Sequence, residues 1–464
     1  MNFIKACYQA KLFEYGPTKG TIFITPNGFD IWQKIQKNLD YEFKQLGVEN
    51  VYFPSLFPYS MLAQEEEHID GFKPEIFTIE QTGNKKLNDK LVLRPTSEVV
   101  FCSYFQKVLK SYRDLPLLLN QWVNVWRYEQ NPNPFLRNME FLWNEGHTLH
   151  LNETKATEFC HKILNIYRNF LQKKLLIPVF VGYKSELEKF AGAEKTWGLE
   201  TILPDGQFLQ LATVHYFGQN FAEKFDVKFL NKENKGTTPY QTSWGISTRA
   251  IAGLVQTHFD NKGLILPFLF AKYQILILPI YMKKANEQNL KITNYCKLLQ
   301  KRLVKNNFKV KLISEQYKKN FSYHCLQSEI IGTPMRLEIG KQEVLDETVT
   351  FVFRHNLKQK RKLSFEQFFT NFNQLYQQMN KELYDKATKI QNLKIEKIIN
   401  FEKYLKLNKN KAFEVWFCNK KECEKQIKQL TKTVSRILWK TNKINKCFKC
   451  QKKTKYQAFF GRSY

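Results

Sequence analysis

Three arginines stand in strand-like or helix-starting sequence with hydroxyl or carboxylate residues nearby: Arg127 in NVWRYEQ, Arg137 in PFLRNMEF and Arg249 in STRAIAGL. A guanidinium is permanently charged and forks to two oxygens, so it suits a carboxylate or a phosphate. Placed in apolar sequence, it is costly to bury unless a carboxylate or a ligand meets it. Glu129 follows Arg127 by two residues, falls on the same face of a continuing strand and could orient it. Upstream, the RPTSE segment holds Thr96 and Glu98. A hydroxyl and a carboxylate there can both accept hydrogen bonds from an amine. Arg249 opens an amphipathic helix with Ile251, Leu254, Val255 and His258 along one side, and a helix start favours phosphate. Cations and acceptors in this mixture could hold a triphosphate and a cationic amine together, a task of charge and position. Any one of these arginines, taken alone, fits equally well as a member of a structural ion pair.

A second constellation lies near the end of the sequence. Cys418-x4-Cys423 and Cys447-x2-Cys450 can place four thiolates tetrahedrally on Zn2+; such a closed site is structural. The other five of the nine cysteines are scattered. An odd total behind an N-terminus unlike a signal peptide points to a reducing compartment.

These groups need elements to position them. The sequence of 464 residues suggests about three domains, and 43% hydrophobic with 15% aromatic residues can form real cores. The net charge of +29 implies a polyanionic partner, most simply nucleic acid, or an acidic membrane surface. An AT-rich coding sequence would also enrich Lys, Asn, Ile, Phe and Tyr. No apolar run is long enough to span a bilayer. The most apolar stretch, 263–282, is broken by Pro267, Lys272 and Pro279 and reads as buried strands. Ile31, Ile35, Leu39, Phe43 and Leu46 recur at helical spacing before Gly47. A helix is predicted over 151–175 with Thr154 as its cap, and strands over 198–215 around a Pro-Asp-Gly turn. From 272 to 379 strands alternate with helices, as in a small α/β unit, ending in a helix at 364–379. The rest is rich in lysine.

In order and spacing these blocks resemble a class II aminoacyl-tRNA synthetase, with motif 1 at 19–35, motif 2 at 120–148 and motif 3 at 243–267. The words RPTSE and PFLR followed by EFLWNEGHT resemble prolyl-tRNA synthetases in particular, and the similarity runs over nearly the whole chain. The resemblance implies an α+β architecture. Residues 1–271 would form an antiparallel catalytic sheet flanked by helices, 272–379 an α/β anticodon-binding domain, and 380–464 a small zinc-binding α+β domain. It implies activation of L-proline by ATP and transfer to the 3′ end of tRNA(Pro). Only about a hundred residues separate motifs 2 and 3, so no editing insertion is expected.

Carried over residue by residue, Arg127, Arg249 and Glu129 would be catalytic. Thr96, Glu98, Arg127 and His215 would hold proline. Arg127, Arg137, Asn138, Gln210, Thr213, Ser247 and Arg249 would hold ATP. Glu200 and Gln210 would meet Mg2+, Cys418, Cys423, Cys447 and Cys450 would hold Zn2+, and Glu329, Arg336 and Lys341 would read the anticodon. A cytoplasmic homodimer joined through motif 1, away from membranes, is also implied. The chain departs from the family's usual RTREF at Arg137-Asn138-Met139-Glu140-Phe141, and from a Pro-Pro-basic sequence at Pro267-Phe268-Leu269-Phe270. The residues leave open a related synthetase for another amino acid, or a tRNA-binding descendant without catalysis.

Overall fold

The structure is a computed structural model, described here for residues 2–63, 75–283, 285–313, 320–408 and 410–464. Its centre is an eleven-stranded sheet. From the strand Phe180–Tyr183 the catalytic part runs through Lys195–Ile202, Phe208–Gly218, Tyr240–Ser247, Glu140–His150 and Leu117–Trp126. Every pairing within this run is antiparallel. Alternating side chains send one set towards a helical layer and the other towards an open face.

The helical layer comprises Pro26–Gln45, Glu153–Asn169 and Arg249–Thr257. The first has the predicted apolar stripe, with Ile31, Ile35, Leu39 and Phe43 buried, and ends before Gly47 at φ 80°. The second is capped by Asn152, whose side chain accepts from the Lys155 N–H at 2.9 Å. That replaces the predicted cap at Thr154: Asn152 has the extended backbone that an N-cap needs, whereas Thr154 is already within the helix. Phe43, Tyr167 and Trp244 pack together where this layer meets the sheet, with ring centroids 5.8–5.9 Å apart. Burying aromatics of this size contributes roughly 1.5–3 kcal/mol each. Gly146 leaves room for them, since a Cβ there would lie 2.0 Å from the Trp244 ring.

The stretch 263–282 holds only two short strands, Gly263–Leu264 and Ile275–Pro279. Pro267, which cannot donate to a ladder, opens the turn between them, where its carbonyl accepts from the Phe270 N–H at 2.9 Å. Ile275–Pro279 enters a separate five-stranded sheet beside Val310–Leu312 and Met335–Ile339, both parallel to it; Thr348–Phe353 and Lys360–Ser364 complete it antiparallel. Helices cover this α/β unit. The last, Phe372–Asn392, continues past the expected boundary at 379/380. The C-terminal strands do not form a detached sheet. Val434–Lys446 pairs with Phe180–Tyr183, so Lys453–Gly461, Ala412–Trp416 and Ile395–Lys397 extend the catalytic sheet. Gly182 permits that junction, because a Cβ would lie 2.4 Å from the Leu438 carbonyl oxygen. Among the described residues, no helix is long and apolar enough to cross a membrane.

Candidate active site

The open face of the catalytic sheet carries a cleft of about 470 Å3. Thr96, Glu98, Arg127, Glu129, Arg137, Asn138, Gln210, Thr213, His215, Ser247 and Arg249 all line it. Two short sequence features deliver the amine acceptors. Pro95 ends the strand-like approach, and Glu98 begins the helix Glu98–Val108. The Thr96 hydroxyl donates to Glu98 Oε2 at 2.5 Å, and both side chains are buried.

Arg127 lies one residue beyond the strand that ends at Trp126. Its Nε donates to the Pro95 carbonyl at 3.0 Å, and its guanidinium carbon stands 5.7 and 5.4 Å from the Phe141 and Trp143 ring centroids. Burial lowers its pKa from the ordinary value, while Glu75, Glu98 and Glu145 act in the opposite sense. Because the strand has ended, Glu129 does not share a strand face with Arg127. It turns instead to Arg137, 3.5 Å away, and accepts from the Asn131 N–H.

Arg249 is the first residue of its helix, and its Nε and Nη2 donate to the Leu136 carbonyl at 3.2 and 3.1 Å. Its pKa is pulled down to about 10, by burial first and then by the neighbouring charges of Arg127, Arg137 and Arg436. Such a concentration of cations is costly without an anion. Ser247 Oγ caps the turn by accepting from the Arg249 N–H at 3.2 Å. Gln210 and Thr213 are joined by a 2.5 Å hydrogen bond, and Thr196 Oγ1 lies 3.0 Å from His215 Nδ1. Asn138 is buried with neither side-chain oxygen nor nitrogen in a hydrogen bond, leaving both facing the demands of a ligand.

Glu200, expected to meet Mg2+, is held in this structure by two protein cations. A register shift falls between Leu199 and Glu200, and the Glu200 side chain is fully buried, paired with the cleft-lining Lys184. Arg436 Nε and Nη2 each donate to it at 2.9 Å, and Lys184 Nζ donates as well. Burial raises the Glu200 pKa, but Arg436 and Lys184 outweigh it and hold the carboxylate ionised. Three hydrogen bonds from two cations take up most of the carboxylate's acceptor capacity.

Sequence reasoning missed Glu75, Phe141, Trp143, Glu145 and His147, which also line the cleft. Glu145 is central to its wall: it accepts from Ser97 and from Gln121 Nε2, and lies beside His147. Burial pushes its pKa up, but His147, Ser97 and Arg94 more than reverse this. A carboxylate in an otherwise apolar strand was the available signal. In the α/β unit, Arg336 joins Glu329 at 3.2 Å and Glu338 at 2.9 Å, while Lys341 stands apart at the start of a short helix.

At the far end of the sheet the Sγ atoms of Cys418, Cys423, Cys447 and Cys450 all lie within 4.8 Å of one another. Tetrahedral Zn–S bonds of about 2.3 Å need sulfurs about 3.8 Å apart, so the set fits Zn2+. Hydrogen bonds from Cys418 and Cys423 hold the Cys447 pKa below that of an ordinary thiol.

Comparison with known proteins matches this geometry to a family. The model of the tRNA synthetase class II core domain (G, H, P, S and T) matches residues 77–258. The anticodon binding domain matches 274–375, and the prolyl-tRNA synthetase C-terminal domain matches 401–464. The proline–tRNA ligase of Mesoplasma florum is 41% identical over 460 residues, covering 98% of this chain and 95% of the relative. That of Borreliella burgdorferi is 40% identical, covering 100% and 97%. A crystal structure of prolyl-tRNA synthetase from Cryptosporidium parvum, complexed with L-proline and AMP, superposes with a TM-score of 0.92 at 33% identity, covering 100% of this chain and 94% of that one. The same enzyme complexed with halofuginone and AMPPNP gives 0.94, with the same identity and coverage.

Proposed function

Because the chain belongs to the prolyl-tRNA synthetase family, we propose how its own residues perform that family's reaction. The protein activates L-proline with ATP to prolyl-adenylate and transfers the prolyl group to the 3′ end of tRNA(Pro). Among the described residues, no additional folded unit interrupts the strands and helices between Glu140–His150 and Tyr240–Ser247, so no editing insertion lies in that interval.

One observation carries the assignment of roles: three arginines, two of them repelling Arg249's charge, line the same cleft as a buried hydroxyl–carboxylate pair. The secondary ammonium of proline has two N–H donors, which Thr96 and Glu98 accept. His215, held by Thr196 and packed at 4.7 Å against Phe190, limits the ring's space. Arg127 binds the proline carboxylate and the α-phosphate together, bringing nucleophile and electrophile into contact while cancelling their repulsion. Arg137, oriented by Glu129, and Arg249 take the remaining phosphate charge. Asn138, Gln210, Thr213 and Ser247 supply polar contacts to the nucleotide. Mg2+ would accompany ATP and neutralise phosphate charge, with Gln210 as the residue to hold it, while Glu200 is engaged by Arg436 and Lys184. Lys341, with the Glu329–Arg336 pair beside it in sequence, reads the anticodon.

Zn2+, held by Cys418, Cys423, Cys447 and Cys450, would fix the C-terminal unit and supply no catalysis. A homodimer is supported by aromatic exposure in and next to motif 1, where Tyr15 is 61% and Phe23 59% exposed. The cytoplasm is the compartment that fits nine free cysteines. Arg127→Ala tests the division of roles: proline-dependent ATP–pyrophosphate exchange should be lost and tRNA affinity kept. Exchange that survives would remove Arg127 from the reaction.

A further inference from the structure

The strand Val434–Lys446 begins beside the adenylation cleft, behind the lining residue Glu188, and continues as a hairpin of unusual charge. Arg436, near its start, is bonded to Glu200 and lies 3.7 Å from Glu188, which lines the cleft. Beyond it come Lys440, Lys443 and Lys446, then the Cys447–Cys450 turn, then Lys452, Lys453 and Lys455. All six lysines are exposed. No Asp or Glu occurs between residues 425 and 464. Among the described residues none of the six forms an ion pair, whereas Lys184, Lys360, Lys362 and Lys411 each meet a carboxylate.

Two features say that this is more than a solvated face. Lys446 and Lys453 are directly opposed in the ladder. Like charges so placed destabilise a strand pair, and the cost is recovered when an anion sits between them. The hairpin is also built to hold its shape. Its turn is closed by the Cys447 N–H donating to the Lys452 carbonyl at 2.9 Å and anchored by the buried Phe448. A rise of about 3.3 Å per residue puts Lys440 about 13 Å along the strand from Arg436, and the tip farther out. The track of positive charge therefore starts beside the cleft wall and continues along the hairpin. A polyanion whose end must enter the cleft would lie along it.

Resting on the proposed function, we propose that this hairpin binds the phosphate backbone of the tRNA acceptor arm. The contact is non-specific in sequence and electrostatic, with each lysine displacing counterions from the RNA.

The test uses the full-length protein and an acceptor-stem minihelix of tRNA(Pro), which lacks the anticodon. The variant K440Q/K443Q/K446Q/K453Q keeps proline-dependent pyrophosphate exchange. Its plot of log affinity against log salt for the minihelix loses about three to four in slope, roughly one per phosphate contact. The matching Lys→Arg variant restores the slope. K440Q and K453Q alone each lower it by about one, which keeps the test decisive if the quadruple variant loses exchange through misfolding. An unchanged slope in folded variants overturns the inference, as does binding of the hairpin to anionic phospholipid vesicles with minihelix binding unaffected. Absence of proline-dependent exchange in the parent protein would instead overturn the functional reading itself.

Discussion

Arg249→Gln distinguishes a cation held for a substrate from one that holds the fold together. In the free protein, burial and the charges of Arg127, Arg137 and Arg436 pull the Arg249 pKa from 12.5 to about 10. At about 1.4 kcal/mol per tenfold change in the proton equilibrium, keeping this group charged costs roughly 3 kcal/mol. Its hydrogen bonds to the Leu136 carbonyl return about 1.5–3 kcal/mol, as bonds from a charged donor do. The two nearly cancel, so the neutral variant should melt at the same temperature as the parent or slightly higher. Catalysis should behave differently. A preorganised donor facing developing charge contributes about 3–4 kcal/mol, or 10²–10³ in rate. Differential scanning calorimetry without ligands, paired with proline-dependent ATP–pyrophosphate exchange, reads both quantities. A variant that loses more than about 2 kcal/mol of stability but retains its exchange rate would refute the reasoning. Arg249 would then be a structural ion-pair member.

Glu200→Gln should weaken the fold without raising the magnesium concentration needed for half-maximal exchange; a raised requirement would reinstate Glu200 as a metal contact. Arg436→Met leaves the buried Glu200 with one cation in place of two and should cost about 3–5 kcal/mol, read as a lower melting temperature. His150 and His258 are kept neutral by burial, with pKa values lowered from 6.5 to about 4. Between those values the unfolded chain binds more protons, so stability is full above pH 6.5 and falls towards pH 4. The loss is about 1.4 kcal/mol per pH unit for each histidine. Urea midpoints at pH 7, 6 and 5 should fall in sequence, and a midpoint that rises on acidification contradicts the assignment. Elemental analysis should find one zinc per chain and none in Cys447→Ser.

The sequence made local chemistry legible and long-range pairing illegible. Arg127, Arg137 and Arg249 stood out because cations in apolar surroundings demand partners, and all three line the cleft. The cysteine quartet was equally plain, since ligand spacing is a local property. The pairing of Glu200 with Arg436 was hidden because the two lie 236 residues apart. The same distance hid the joining of the C-terminal strands to the catalytic sheet: Leu438 opposite Tyr183 leaves no local trace. Glu145 was overlooked although its strand was recognised, because its partners Ser97 and Gln121 come from other elements. At the helix Glu153–Asn169, backbone conformation, invisible in sequence, selected Asn152 as the cap two residues before the expected Thr154.

The central claim is that the arginine-lined cleft pairs ATP with a cyclic secondary amine. Pyrophosphate exchange measured with each of the twenty amino acids tests it most directly. Exchange should be strongest with proline, with some residual exchange from alanine or cysteine, because a pocket excludes smaller side chains poorly. Exchange driven best by another amino acid, or by none, would contradict the account.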